Sequence, residues 1–562
     1  MRRLLPILLP VLLASCATVP EPRVAAPGAP IEVQILGIND FHGNLQASPD
    51  PVSFAMGPDT KNSMRLGGAA QLGAALRAIR TARSITVAAG DLIGATPLES
   101  AYFLDEPAID AMNLIGLELA SVGNHEFDKG SAELLRMQHG GCAKLTTIAN
   151  REPCRLEPFT GARFHYLSAN VRTPDGRTLF PASEIRQIGP VRIGFIGMTL
   201  RDTAKLVSPA GVAGLSFADE AATANALVPG LKAAGADAIV LLIHQGGKLP
   251  ESYHVGDCDG LSGAIMPILD ALDPAIRTIV SGHTHNAYAC TLDRGGASRL
   301  LTSAGKYGYF ATDLRLAFDP RSHALVAHSA HNLPVAGDGA GQADVAQLVE
   351  RYVAAVKPAA DRVVGRLPAT LAYEDGMVES PVADMVADAQ LAATRAPGRG
   401  GAQLSFLNGA GARATLAPRA DGTVTYGQLF ALQPFGNSLV VKSFTGAEIR
   451  AALEQQVQTV DGKVRIQSSL VPSANVRVAY DLAAPVGARI VSVTVDGRPL
   501  DPVATYRVTI NNFLASGGDG YSVLAGGRDA FDAGLDLDAT EAWIAGNPGV
   551  PVAGRLVAVG AR

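Results

Sequence analysis

Gly123-Asn124-His125-Glu126-Phe127-Asp128 follows directly on an apolar run, residues 117–122, and sets an amide, an imidazole and a carboxylate into one short turn. Four other stretches place groups of the same kind after apolar runs: Asn39-Asp40-Phe41-His42, Gly90-Asp91, Ile243-His244 and Ser281-Gly282-His283-Thr284-His285. Reactive groups on loops at the ends of buried strands are where rigid scaffolds carry chemistry. The rest of the chain can be arranged around these five stations.

The apolar runs read as strands at residues 31–38, 85–89, 191–198, 238–243 and 277–280. Between them, residues 66–83 and 107–117 have apolar side chains at helical spacing, and the polar, Gly/Pro-containing segment 46–65 reads as a long loop. Strands alternating with helices predict an α/β domain over residues 31–333. A Gly/Pro/Ala-rich stretch and a helix at 344–356 then form a linker, 334–362. Beyond it the texture changes. Strands are expected at 403–407, 438–444, 476–480, 490–495 and 506–510, with helices at 381–394 and 446–457, so residues 363–562 form a second, α+β domain.

The 562 residues are too many for one ordinary core. A hydrophobic content of 48% against 18% charged residues describes a folded chain. With a net charge of −5 and no basic cluster, a nucleic acid is not the expected partner. No run after the N-terminus approaches the ~18 apolar residues of a membrane-spanning helix.

The N-terminus itself reads as an export signal. Arg2 and Arg3 precede a short apolar region, residues 4–13, and Leu13-Ala14-Ser15-Cys16 resembles the lipobox of bacterial lipoproteins. That resemblance implies a signal peptide over residues 1–16 with lipidation at Cys16, and a tether over residues 17–30. It also implies a periplasmic or cell-surface location with the membrane reached through the lipid alone. Four cysteines remain, Cys142, Cys154, Cys258 and Cys290, which allow three pairings. Local pairing, 142 with 154 and 258 with 290, brackets a loop within a single region in each case.

Imidazole and carboxylate together suit divalent transition metals. Two such ions ~3.5–4 Å apart clamp an in-line displacement at phosphorus and activate water near neutral pH. The order D-x-H, G-D, G-N-H-E, a lone His and G-H-x-H resembles the calcineurin-like metallophosphoesterase superfamily, and within it the 5'-nucleotidase and UDP-sugar hydrolase family. The resemblance implies a four-layer domain, a β-sandwich flanked by helices, followed by a substrate-binding domain. It implies that Asp40, His42 and His285 hold one metal, zinc or manganese, and that Asn124, His244 and His283 hold a second, with Asp91 bridging. His125, oriented by Asp128, would donate to the phosphoryl oxygens. The other six histidines (His139, His165, His254, His323, His328, His331) lie in no such context and read as solvated or hydrogen-bonded side chains.

In the second domain, Asn408-Gly409-Ala410-Gly411-Ala412-Arg413, Gln433-Pro434-Phe435-Gly436-Asn437 and the stretch from Asn512 to Tyr521 are similar to that family's substrate motifs. By that similarity Phe435 and Phe513 sandwich a base, Asp519 binds ribose hydroxyls, and Asn408 and Arg413 contact base, ribose or phosphate. Stacking of this kind tolerates any base. One departure stands out: some family members have an arginine near the start of this domain, whereas Asp375-Gly376-Met377-Val378-Glu379-Ser380 has no basic residue. The expected activity is release of phosphate from nucleoside 5'-phosphates. UDP-sugars and 2',3'-cyclic nucleotides are alternative substrates for the same metals, and a non-catalytic nucleotide-binding lipoprotein is the alternative of another class. The oligomeric state is left open.

Overall fold

The computed structural model describes residues 28–57, 59–146, 151–208, 210–373, 377–460 and 463–559. The expected signal peptide, Cys16 and most of the tether lie outside them. Two six-stranded sheets form the centre of the first domain. One runs in the order Leu325–Pro334, Phe310–Phe318, Ile31–Ile38, Ser84–Ala89, Leu119–Ser121, His165–Leu167. The other runs Ala287–Arg294, Ala297–Ala304, Ile276–Ser281, Ala238–Ile243, Val191–Met198, Ser183–Ile188.

The inner faces of both sheets supply one apolar cluster, with Val33, Ile85, Val87 and Leu119 from the first and Ile193, Phe195, Val240 and Val280 from the second. The outer faces carry helices. Ala69–Ile79, Glu106–Ile115 and Ala343–Ala360 cover the first sheet, while Glu220–Ala233 and Ile265–Ala271 cover the second. Because both faces of each sheet are covered, the central strands are apolar throughout, which is why the sequence shows them as continuous runs. Removing one fully buried leucine such as Leu72 would cost about 2–5 kcal/mol.

Register decides where the chemistry falls. Ile38 pairs with Ala88 and Ala89 with Ser121 in parallel, and Ile243 pairs with Ser281 in the other sheet. All five stations therefore emerge side by side from the carboxyl ends of parallel strands, three from one sheet and two from the other.

The second domain contains a five-stranded sheet in the order Leu470–Pro472, Leu404–Asn408, Thr505–Asn511, Ser438–Thr445, Arg528–Leu535. It also contains a four-stranded sheet and helices that include Pro381–Thr394, Gly446–Gln455 and Asp536–Ala545. The linker helix joins the domains through a shared core in which Tyr352 and Val356 pack with residues such as Leu429 and Phe430. Among the described residues no helix is long and apolar enough to cross a membrane.

Several expectations need correction. Segment 46–65 is not a plain loop: Val52–Gly57 and Thr60–Met64 pair as a hairpin, whose second strand is almost wholly exposed and so carries no apolar alternation. The first helix spans Ala69–Ile79 and not 66–83, because Gly67 and Gly68 are left-handed (φ 83° and 92°) and Arg80 is extended. The antiparallel strands from Ala287 to Pro334 and the helices Ser131–His139 and Glu220–Ala233 were not legible.

Candidate active site

The structure gathers the predicted ligands into two groups, Asp40 with His42 and His285, and Asp91 with His244 and His283. Within the first, His285 Nε2 lies 3.5 Å from Asp40 Oδ1 and 3.2 Å from His42 Nε2. Within the second, His244 Nε2 lies 3.0 Å from Asp91 Oδ2 and 3.1 Å from Asn124 Oδ1. The same Asp91 oxygen is 3.7 Å from His42 Nε2, so one carboxylate oxygen faces both groups.

The backbone pays for this convergence in strain. Asp40, His42, Asp91, His283 and His285 all have left-handed φ, between 47° and 71°. Such conformations cost side-chain-bearing residues about 1–3 kcal/mol each and persist only where the surroundings enforce them. Gly90 answers a tighter demand: at φ 79°, a Cβ there would stand 2.5 Å from His244 Nδ1.

Outer contacts fix the ligating atoms. His42 Nδ1 is 2.8 Å from the Gly94 carbonyl and His244 Nδ1 2.8 Å from the Ala89 carbonyl, which leaves both Nε2 atoms facing inward. Asn39 donates to Asp40 (2.6 Å), as does the His283 N–H (2.9 Å). Glu126 accepts from the backbone N–H groups of Asp91, Leu92 and Gly123, tying two stations together. Buried Asp105 accepts from Thr96 and Lys129 and secures the loop that carries Gly94. Glu126 was legible as the last member of G-N-H-E, but its role was not, because three backbone donors cannot be read from composition.

Electrostatics match a cation site. Burial holds His42 and His283 down at about 3 and His285 well below its ordinary value, so these imidazoles are neutral, which is the ligating form. Burial pushes the Asp40 carboxyl up to about 7. Burial opposes charge on Asp91 too, but His244 and His125 outweigh it and hold that carboxyl well below the usual range. Conversely His244, although buried, is raised to about 10 by Asp91. Buried carboxylates facing imidazoles, three of them held neutral, are a donor set that suits divalent metals.

His125 stands beside the two groups and not within them, its ring edge-on to His42 at 5.1 Å. Its Nδ1 is 2.8 Å from Asp128 Oδ2. Burial lowers its basicity, but Asp128 and Asp91 more than offset this and raise its pKa.

The second-domain residues fall into two sets. Asn408 donates to Asp519 (3.0 Å) and accepts from Asn511 (3.0 Å), while Ser468 donates to the same Asp519 oxygen (2.9 Å). The Phe513 ring lies against Gly518 in the same motif. Arg413 and Phe435 form the other set, with the guanidinium 5.6 Å from the ring centroid. Phe435 stacks on His125 across the domain boundary, and no contact between the Phe435 and Phe513 rings occurs among the described residues. Tyr307 was missed altogether. Its φ is 58°, its N–H donates to the Asp40 carbonyl, and its ring meets both His42 (5.8 Å) and His285 (5.9 Å). It belongs to no motif, so no signal pointed to it.

Disulfides join Cys142 to Cys154 and Cys258 to Cys290, the local pairing of the three. Of the other histidines, His165, His254 and His323 lie beside Glu184, Asp257 and Asp237, away from the site.

Residues 33–287 match the calcineurin-like phosphoesterase family and residues 363–526 the 5'-nucleotidase C-terminal domain. The chain is 27% identical to the endonuclease YhcR of Bacillus subtilis over 88% of its own length, but spans only 38% of that protein. It is 24% identical to the 5'-nucleotidase of Bos taurus, covering 94% of this chain and 92% of that one. The crystal structure of a 5'-nucleotidase precursor from Thermus thermophilus superposes with a TM-score of 0.74 at 26% identity, over 95% of this chain and all of the other. With a phosphoesterase domain built around two donor sets and a 5'-nucleotidase domain behind it, the chain belongs to the 5'-nucleotidase family of calcineurin-like metallophosphoesterases.

Proposed function

We propose that this chain is a two-metal phosphoester hydrolase that releases phosphate from nucleoside 5'-phosphates. The observation that carries the reading is the position of Asp91 Oδ2, 3.0 Å from His244 Nε2 and 3.7 Å from His42 Nε2, with the His125–Asp128 pair alongside. Asp40, His42 and His285 would hold one ion, and Asn124, His244 and His283 the other, with Asp91 shared. When bound, such ions polarise the phosphoryl group and make water nucleophilic near neutral pH. Zinc or manganese suits the donors.

The remaining work falls to the protein. Asp128 accepts from His125 Nδ1–H and fixes the ring, so Nε2–H can donate to a phosphoryl oxygen as charge builds on it. Asp128 also stabilises the charged imidazolium. Phe435 and Phe513 would hold the base, Asp519 and Asn408 the ribose, and Arg413 the phosphate. Closure of the second domain over the first, hinged within residues 334–362, would bring these groups to the metals. We also propose export and lipid attachment at Cys16, with the two disulfides suiting an oxidising compartment.

The test is phosphate release by protein lacking residues 1–16, with AMP, UMP, UDP-glucose, 2',3'-cyclic AMP and an aryl phosphate, after chelation and return of zinc or manganese. Rapid metal-dependent release from AMP or UMP supports the reading. Preference for UDP-glucose or the cyclic nucleotide would move the substrate while keeping the metals. No turnover with any metal would leave a nucleotide-binding protein.

A further inference from the structure

Residues 433–437 carry Phe435 to the domain boundary, where its ring stacks on His125. They join the helix Tyr426–Leu432 to the strand Ser438–Thr445, and Gly436 turns the chain through a left-handed φ of 68°. That strand is antiparallel to Thr505–Asn511, with Leu439 opposite Asn511. The Phe435 loop and the short helix Asn512–Ala515, which bears Phe513, therefore leave the same end of one sheet. An aromatic ring on a loop is placed only as well as the ends of that loop are held.

Three hydrogen bonds hold those ends. Thr540 Oγ1 donates to Gln433 Oε1 at 2.6 Å, and the Asp536 N–H donates to the Asn437 carbonyl at 3.0 Å. The Ser438 N–H donates to Asn512 Oδ1 at 3.2 Å. Thr540 and Gln433 are fully buried, so water does not replace a lost partner of either. The helix Asp536–Ala545 thus grips the loop at both ends, and Asn512 ties it to the segment that carries the second ring. Neither Thr540 nor Asn512 belongs to the two donor groups.

We propose that Thr540 and Asn512 are positioning residues for the base. Thr540, acting through Gln433, fixes where Phe435 stands, and Asn512 fixes the spacing between the Phe435 loop and Phe513. This rests on the reading of the two rings as a base clamp and adds the residues that set its width. Neither side chain needs to touch the nucleotide. Their loss acts on nucleotide binding and leaves the phosphoryl chemistry at the two donor groups in place.

The experiment compares Thr540→Val, Thr540→Ser, Asn512→Ala, Asn512→Asp and Phe435→Ala with the unaltered protein. The substrates are AMP and ribose 5-phosphate, which carries the same ester without a base. Calorimetry with adenosine gives a binding readout independent of turnover. Thr540→Val and Asn512→Ala should each raise KM for AMP roughly three- to tenfold, a part of what loss of a whole stacking contact removes. The kcat for AMP, and both constants for ribose 5-phosphate, should change less than about twofold. Adenosine binding should weaken by the same factor as KM for AMP. Thr540→Ser keeps the hydroxyl donor and Asn512→Asp the oxygen acceptor, so both should stay near the parent. Unchanged adenosine binding in Thr540→Val and Asn512→Ala, or equal changes for AMP and ribose 5-phosphate, would overturn the positioning role. Asn512 is only half-buried, so its variants decide the matter even where Thr540→Val does not fold. Phe435→Ala separates two failures. If it leaves adenosine binding unchanged, the clamp itself falls; if it weakens binding while the other variants do not, only the positioning role falls. If neither ester is hydrolysed with any metal, the hydrolase reading fails, and adenosine binding still decides the role of Thr540 and Asn512.

Discussion

The ring of Phe435 lies nearly parallel to that of His125, 16° between planes and 6.3 Å between centroids, so a residue of the second domain stacks on a histidine beside the two donor groups of the first. On the proposed reading, a base held at Phe435 would lie next to His125. Phe435→Ala should raise KM for AMP by roughly 5- to 150-fold, the loss of a stacking contact of roughly 1–3 kcal/mol. Turnover of an aryl phosphate, which has no base, should change far less. Steady-state kinetics on both esters decides this, and equal losses would show that Phe435 serves His125 and not the base.

Asp128 touches His125 and no metal group, so its removal separates orientation from metal binding. Asp128→Asn should lower kcat by roughly 10²–10³-fold, the scale of losing a positioned transition-state donor. KM and bound metal should stay near the parent values. Metal analysis alongside kinetics checks this; a parallel loss of metal would mean that Asp128 supports the ligand shell instead.

The five strained donor positions and the buried carboxylates would be stabilised by a bound cation. Chelation should therefore lower the melting temperature, and returning divalent metal should restore it in a concentration-dependent way. Because one Asp91 oxygen faces both groups, Asp91→Ala should lose both ions, whereas His285→Ala should lose chiefly one. Metal-to-protein ratios after dialysis distinguish these outcomes.

The stations were legible because each terminates a parallel strand buried on both faces, which writes an apolar run into the sequence just before a polar turn. The hairpin at 52–64 left no such trace, since Thr60–Met64 is exposed at every residue but the last. Strand order in the second domain was illegible for another reason: Leu404–Asn408 pairs with Thr505–Asn511 about a hundred residues away, and no local pattern encodes that partner. Tyr307 shows the same limit at the site. Its position follows from Gly305 and the Asp40 carbonyl, which only the folded chain brings together.

Asp536 opens the helix Asp536–Ala545 fully buried, and burial pushes its carboxyl up to about 7 from 3.8. Since the folded form binds this proton more tightly than the unfolded one, the stability it contributes is complete below about pH 4 and is lost as pH rises through about 7. Asp536→Asn keeps a side-chain acceptor for the Leu537 N–H and removes the titration. The variant should be more stable than the parent at pH 8 and similar to it at pH 4. Denaturant melts at both values check this; a gap that is the same at both would assign the effect to packing.

The loop closed by Cys142–Cys154 reaches the second domain, and the segment just after it reaches the linker helix. Arg151 stacks its guanidinium 4.8 Å from the Phe430 ring centroid in the second domain, and Glu157 pairs with Arg351 of the linker helix at 2.9 Å. Replacing both cysteines with serine should cost about 2–4 kcal/mol, as expected for a short closed loop. It should also loosen the contact between domains. A double-mutant cycle with Arg151→Ala and Phe430→Leu should give a coupling of roughly 0.5–2 kcal/mol in the disulfide-bonded protein, the range of a cation–π pair, and less in the serine variant. Equal coupling in both would mean that Arg151 is held by its own packing, and that the disulfide stabilises the first domain alone.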